Sequence, residues 1–579
     1  MFIKGMDISS HLEMMDKGHR YYDFEGNEVN IIDFAKEQGF NYGRLRIWNN
    51  PECVNKSGGY CNLEHTKRMA AEIKKRGMGL LLDFHYSDWW ADPGNQTKPA
   101  AWKDLSGDAL AQAVYDYTKE VLTALDESGV YPEMVQVGNE IRCGMLWPNG
   151  RTDNWEELAK LINAGIRAVR DMQGDRDTKV MLHLDQGGRY YYFKEWFDNA
   201  IAHGVTDFDI IGLSYYPFWH GTFYDLKNTM EELVKRYHKP MIIAEVAHAY
   251  RRSRGELFGE AQEKISGFPA GGAAQKEVLE LVMSITAHVS EEMGLGVFYW
   301  EPFSRPDDEM DDGWGSCMGV VDADGRPTLG IKAFGFEPEK ADVEKIAKIY
   351  EPSVITVTPE DDSSEYLPKT VKVLKYDGRL ERESVTWAFD KSNLIKNDTV
   401  VINGTLSQCG KTVSVPIRLV DKKERQNLLK NADFENVYEG VPEHWEIDLA
   451  VGRDSFTQEV RQEVAEEFPF SATNYYYFKG DNNFQFTLSQ KMERLPAGKY
   501  TFSLAYRGDN TTGVKVQLYT GTENGGRTVQ SVFPSAQEWT KHSMALVLNE
   551  DGEAEVGIAV DSPAIYGMVK EICLSRDME

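Results

Sequence analysis

The stretch Met134-Val-Gln-Val-Gly-Asn-Glu-Ile141, MVQVGNEI, sets an apolar run fit for a buried strand against an amide and a carboxylate that are costly to take out of water. A strand that merely reached a polar turn would end this way too. Recurrence of the pattern along the chain decides between the two readings. Outward from it, similar runs occur at KGMDIS (4–9), RLRIW (44–48), MGLLLDFHY (78–86), KVMLHLD (179–185), DIIGLSYYP (209–217), MIIAEVA (241–247) and GVFYWEP (296–302). Between them lie stretches such as LEHTKRMAAEIKKRG (63–77) and DALAQAVYDYTKEVLTALDESG (108–129), with apolar residues at helical spacing. Eight strands, each followed by a helix over about 330 residues, match the count and length of a (β/α)8 TIM barrel. A doubly wound open sheet would want a Gly-rich phosphate turn after its first strand, and DISSHLEMMDKG (7–18) is not one.

At 579 residues the chain is too long for one core. The barrel is assigned to residues 1–340, and GFEPEKADVEKIAKIYEPS (335–353) reads as a last helix and a linker. Alternating segments then follow, SVITVTPE, KTVKVLKYDG, ESVTWAF, DTVVINGTL and KTVSVPIRLVD, which predict a small β-sandwich over 345–422. From Asn427 a second set runs through NYYYFKG, FQFTLSQ, KYTFSLAYRG, GVKVQLYTG and EAEVGIAV, on the scale of a jelly roll over 425–579.

The 41% hydrophobic content is that of a globular protein. With 64 basic against 92 acidic side chains, the net charge of -28 repels nucleic acid and anionic lipid and favours a neutral substrate. No run is long and apolar enough to span a bilayer. The start, MFIKGMDISS, has no apolar core of a signal peptide, which leaves a cytosolic protein or a mature form given a starting Met. Of six cysteines, Cys53 and Cys61 are close enough in sequence to bridge; none falls at zinc spacing, and most read as buried free thiols.

Strand ends of a (β/α)8 barrel gather at one mouth. Strand two ends with Arg44, Arg46 and Trp48 on one face, strand three with Asp83, His85 and the Trp89-Trp90 pair, strand four with Asn139 and Glu140. His183 and Asp185, Tyr215 and Tyr216, Glu245, and Trp300 with Glu301 follow from strands five to eight. Glu140 and Glu245 hold corresponding positions on strands four and seven. Glycoside hydrolysis asks for two carboxyl groups flanking the scissile bond, about 5 Å apart for retention and about 6.5–9.5 Å for inversion. A strand-end Glu alone is more often a salt-bridged structural residue; the pair, with Asn139 and Tyr216 nearby, points to the chemistry. Trp89, Trp90, Trp219, Trp300 and Trp314 are candidate sugar platforms, since the apolar face of a sugar ring packs on an indole. No second His lies two residues from His85, which weighs against a metal-dependent hydrolase barrel.

GNE after the fourth strand and AEV at the seventh resemble the clan of retaining glycosidases with acid/base and nucleophile on those strands. Within it, GMDIS, RLRIWNNP, LLLDFHYSDWWADPGNQTKPAAW, QVGNEI and IIAEVAHAY resemble the endo-β-1,4-galactanases of glycoside hydrolase family 53, over residues 3–336. The resemblance implies retaining, endo-acting cleavage of β-1,4-galactosidic linkages in galactan and arabinogalactan, with Glu140 as general acid/base and Glu245 as nucleophile. It further implies that Asn139 holds the 2-hydroxyl, that Tyr216 hydrogen-bonds Glu245, and that Arg46 and His85 orient the nucleophile's surroundings and the bound sugar. Asp83, Trp89, Trp90, His183, Tyr215, Trp300 and Trp314 complete the expected sugar contacts. The chemistry needs no cofactor, the expected partner is the galactan polymer rather than nucleic acid or membrane, and the chain is expected to be an extracellular monomer.

The loop RPDDEMDDGWGS (305–316) clusters Asp307, Asp308, Asp311 and Asp312. Clustered carboxylates bind calcium, and some relatives carry a structural calcium at this part of the rim, although the spacing matches no EF-hand. The trailing segments resemble a bacterial immunoglobulin-like spacer and a galactose-binding-like carbohydrate-binding module. The opening of the latter, NLLKNADFENVYEGVPEHWEI (427–447), carries the resemblance. Its candidate ligand aromatics are Trp445, Tyr475, Tyr476, Tyr477 and Trp539, about half of which alternation must turn into the core. Two other readings stay open: a same-clan barrel acting on mannan or cellulose, and a galactan-binding protein without catalysis.

Overall fold

In the computed structural model, residues 2–54, 57–255, 257–306 and 313–352 are described, and beyond them residues 355–577 apart from 358–366, 391, 393, 395–398, 420–426, 435–436, 439–440, 452–455, 466–467, 481–482, 510–514, 523–525, 533–537 and 564. Two compact units divide the chain, one of residues 1–348 with 374–379 and one of 349–373 with 380–579. No helix among the described residues is long and apolar enough to cross a membrane.

Eight parallel strands close the first unit into a barrel. They are β1 (Ile3–Asp7), β2 (Tyr42–Ile47), β3 (Gly79–Phe84), β4 (Met134–Val137), β5 (Lys179–Leu184), β6 (Ile210–Ser214), β7 (Met241–Val246) and β8 (Gly294–Tyr299). Closure comes from β1 pairing with β8, Ile3 opposite Gly296 and Met6 opposite Tyr299. Helices such as Leu63–Lys75, Gly107–Glu127 and Trp155–Gln173 bury one apolar face each between the strands.

The barrel interior changes character along its axis. Leu81, Met134, Met181, Ile210, Ile242, Ala244 and Phe298 form an apolar floor. Two residues further along, the same inward phase carries Asp83, Gln136 and His183, so alternation alone hands the upper barrel to polar groups. β7 departs from strict alternation. Its register slips by one residue on both edges: Leu213 faces Ile243 but Ser214 faces Glu245, and Val297 faces Ile243 but Tyr299 faces Val246. That bulge lets Glu245 share the interior with Ala244.

The expected helix after β8 is absent: the chain makes short 3-10 turns at Leu329–Gly335 and Pro338–Lys340 and then a strand, Ile346–Ile349. Pairing in a sheet overrides the weak helical preference of EKADVEKIAKIY. Strands Leu380–Trp387, Thr399–Leu406 and Thr412–Leu419 run antiparallel in a six-stranded sheet. Beyond Glu446 two five-stranded sheets enclose one core that includes Tyr476, Phe478, Phe486, Leu518, Val556 and Leu574, a β-sandwich. Cys53 and Cys61 do not bridge: Cys53 is exposed with its thiol 3.4 Å from Asp88 Oδ2, while Cys61 is buried against the Ser9 carbonyl. Only Cys61 and Cys317 are buried among the six free thiols, fewer than expected.

Candidate active site

The turn after β4 sets the first carboxylate. Gly138 has φ of +83°, a conformation suited to glycine, and a Cβ there would meet Ile141 Cγ2 at 2.7 Å. Glu140 follows at φ of +47°, an unusual left-handed setting for a residue with a side chain. Such settings cost on the order of 1–3 kcal/mol and gather at functional sites. Here the turn sends Asn139 into the polar floor and Glu140 to the cavity. Glu245 comes from the bulge in β7. One carboxylate oxygen of Glu140, one of Glu245 and a ring nitrogen of His183 lie within 4.8 Å of one another.

The two carboxyls have different company. Glu245 Oε1 accepts from Arg44 Nη1 at 3.0 Å, and Oε2 accepts from the Tyr216 hydroxyl at 3.0 Å. Arg44 is fully buried and also donates to Asp7 Oδ2 (3.2 Å), Asp83 Oδ2 (2.9 Å), Gln136 Oε1 (3.1 Å) and Asn139 Oδ1 (2.9 Å). Glu140 Oε1 accepts from the neutral hydroxyl of Ser214 at 2.6 Å. Burial pushes both carboxyls above the usual range. On Glu140 the charges of Glu245 and Asp185 push further the same way. On Glu245 the Arg44 guanidinium opposes burial, and Tyr216 donates to the charged form. These environments favour the proton on Glu140 and the charge on Glu245.

The cavity above them encloses about 270 Å³ and is lined by Trp90, Trp219, Trp300 and Trp314, the turn of Ala91, Asp92 and Pro93, and Asn139, Glu140, Asp185, Tyr216, His220 and Glu245. Trp90 meets Trp300 edge-on at 5.8 Å, and Trp314 meets Tyr216 at 5.6 Å while its indole N–H donates to the Trp300 carbonyl. Of the residues expected to touch sugar, Asn139, Trp90, Tyr216, Trp219, Trp300 and Trp314 thus reach the cavity. Asp83, His85 and His183 lie beneath it, buried. His85 Nδ1 accepts from the Ala91 N–H at 3.0 Å and its Nε2 lies 3.1 Å from Asp83 Oδ2, so it ties the tryptophan-bearing turn to the floor.

Several expectations are corrected. Arg46, expected to orient the nucleophile's surroundings and the bound sugar, is not the cation on Glu245 itself. It pairs with Glu301, donates to Ser10 Oγ at 2.8 Å and lies 4.1 Å over the Trp90 ring. Arg44, two residues nearer the floor on the same face of β2, is the cation that reaches Glu245. Trp89 packs against Trp48 at 4.7 Å instead of lining the cavity. Tyr215 is fully buried and donates to the Gly221 carbonyl at 3.1 Å. In the β-sandwich, Trp445 is buried against Phe434 with its indole N–H on the Asn431 carbonyl, and Tyr476 is fully buried among core residues; neither is open to a ligand. Trp539 is half-buried, edge-on to Tyr475 at 5.9 Å and 4.2 Å from the Lys570 ammonium. Asp307, Asp308, Asp311 and Asp312 lie outside the described residues.

Arg44, Gln136, Ser214 and His220 were not singled out as site residues from sequence. Arg44 was signalled by sharing the face of Arg46, and Ser214 by closing the apolar run before Tyr215-Tyr216. Gln136 was signalled by alternation, two residues past Met134, and His220 gave no such signal.

A closed (β/α)8 barrel with paired carboxyls at the ends of its fourth and seventh strands, under a cavity walled with indoles, defines a glycoside hydrolase. The model of glycosyl hydrolase family 53 matches residues 3–334, and the chain belongs to that family. It is 38% identical over 312 residues to the endo-beta-1,4-galactanase of Bacillus subtilis (strain 168), covering 52% of this chain and 70% of that protein. It is 33% identical over 309 residues to the arabinogalactan endo-beta-1,4-galactanase of Humicola insolens, covering 52% of this chain and 89% of the relative. Among solved structures, the Ignisphaera aggregans GH53 catalytic domain is similar at 36% identity and a TM-score of 0.54, over 57% of this chain and 95% of that one.

Proposed function

We propose that the protein cleaves β-1,4-galactan within the polymer chain and retains the anomeric configuration. Glu245 attacks the anomeric carbon while Glu140 gives its proton to the departing glycosidic oxygen. Glu140, now ionised, then takes a proton from the water that displaces Glu245. The observation that carries this reading is the approach of the two carboxylates, one oxygen of each within 4.8 Å of the other, which suits the carboxyl separation of about 5–5.5 Å in double displacement better than the about 6.5–9.5 Å that admits a water. The names of the relatives support the substrate, and the indoles around the cavity suit the apolar faces of galactose rings.

The test is proton NMR of linear galactan during the first minutes of digestion, beside mannan and cellulose. The β-anomer of the new reducing end should appear first, from galactan alone. An α-anomer first would mean inversion, and release from mannan or cellulose instead would move the substrate within the clan.

The reading extends to the second unit, with an immunoglobulin-like spacer over 345–422 and a galactan-binding sandwich over 425–579. Tyr475 and Trp539, half-buried and edge-to-face, support a contact surface there. A polymer of this size does not cross a membrane, so the reading places the enzyme outside the cell.

A further inference from the structure

Glu140 has two oxygens, and a leaving sugar can use only one of them. Oε1 accepts from Ser214; Oε2 is left to the cavity that Glu140 lines. We propose that Ser214 and His183 are positioning residues that hold the transferable proton of the acid/base on Oε2. The inference rests on Glu140 being that acid/base.

Ser214 carries one hydroxyl hydrogen, and its oxygen lies 2.6 Å from Glu140 Oε1 and 2.9 Å from His183 Nε2. Which way it points depends on which imidazole nitrogen holds the proton. Burial and the Arg44 cation keep His183 neutral, so it has a single N–H. Arg44 also decides where that N–H sits. It donates to Gln136 Oε1 at 3.1 Å, which turns the Gln136 amide nitrogen toward His183 Nδ1, also at 3.1 Å. That nitrogen has two hydrogens to share among the Gly138 carbonyl and Asn139 Oδ1, at 3.0 Å each, and His183 Nδ1; it can only donate, so a proton on Nδ1 would set donor against donor.

Asn139 Oδ1 lies 3.0 Å from the same Nδ1, but its lone pairs already accept from Arg44 Nη2 at 2.9 Å and Gln136 Nε2 at 3.0 Å. Both contacts favour the imidazole proton on Nε2, pointing at Ser214 Oγ. The serine hydrogen then has one acceptor left, Glu140 Oε1. A proton on Oε1 would meet that hydrogen head-on, so the acid proton sits on Oε2. His183 and Ser214 lie beneath the cavity, fully buried, and fix this arrangement before substrate arrives.

Other groups also act on Glu140: Glu245 from β7, Asp185 after β5 with its partner Arg142, Arg44 from β2, and Tyr216 and His220 after β6. None of them binds Oε1, so Ser214→Ala isolates the relay.

The experiment measures kcat/KM of wild type, Ser214→Ala and Ser214→Thr on a galacto-oligosaccharide and on an aryl galactobioside with a dinitrophenyl leaving group, across pH. A sugar leaving group needs the proton and the dinitrophenolate does not. Ser214→Ala should lose roughly 10- to 100-fold on the oligosaccharide, a part of the ~10²–10⁴ that a positioned acid contributes, and less than about threefold on the aryl substrate. Its basic limb should move to higher pH, because a donor to ionised Glu140 has gone. Ser214→Thr, which keeps the hydroxyl, should restore most of the loss.

Equal losses on both substrates with an unmoved basic limb would overturn the proposal and leave Ser214 a structural residue. A second measurement does not depend on turnover: NMR of nitrogen-labelled histidine, with the His183 signal assigned by its absence in His183→Gln. Nε2 should be protonated and Nδ1 bare, and the reverse overturns the relay. A wild type inert on every glycoside would instead sink the enzymatic reading, with the direction of the relay still decided by that spectrum.

Discussion

Glu140 and Glu245 are the same side chain biased toward opposite charge states, and the difference lies in what each accepts. Glu245 takes two hydrogen bonds, one from a buried guanidinium; Glu140 takes its bond at Oε1 from a hydroxyl and faces the charge of its twin. A carboxyl whose pKa rises on folding makes the native state hold more protons than the unfolded chain. Its contribution to stability is whole below about pH 4.3, the unfolded value, and is lost as pH rises toward the folded one, by at most about 1.4 kcal/mol per pH unit. Glu140→Gln removes that loss. The variant should be inactive on galactan, and its melting temperature should gain on wild type as pH goes from 5 to 7. A gap that narrows over that range would mean that burial does not raise Glu140.

At the scale of elements, the eight barrel strands were legible because each is a short apolar run with a polar end, and pairing in a closed parallel sheet rewards that pattern. Asp83, His183 and Asn139 were named as the polar ends of their strands, and alternation turns Asp83 and His183 inward. What alternation could not give was depth. Arg44 and Arg46 share a face, yet two residues of rise separate a cation that reaches Glu245 from one that pairs with Glu301. Nor could it foresee the extra residue in β7 that brings both Ala244 and Glu245 inside. In the strand Phe468–Gly480 the phase was open in sequence: Tyr476 and Phe478 enter the core, leaving Tyr475 on the other face. The segment after Phe336 was misread as a helix because its composition suits one, whereas the sheet it joins is a tertiary fact.

For the molecule as a whole, the barrel unit carries every group of the proposed chemistry, and binding is the role proposed for the β-rich unit. Replacing Tyr475 and Trp539 together by alanine should weaken retention on insoluble galactan several-fold, measured by depletion from solution; unchanged retention would leave the sandwich without a role in binding there. The central claim lies in the barrel: two glutamates flank one glycosidic bond, and Glu245 becomes covalently attached to the sugar. A fluorinated galactoside that forms the intermediate quickly and releases it slowly, followed by mass spectrometry of the digested enzyme, tests it directly. The account predicts a single galactosyl adduct on the peptide that contains Glu245, lost on reactivation. An adduct on another carboxylate, or rapid turnover of galactan by an enzyme that never forms one, would contradict it.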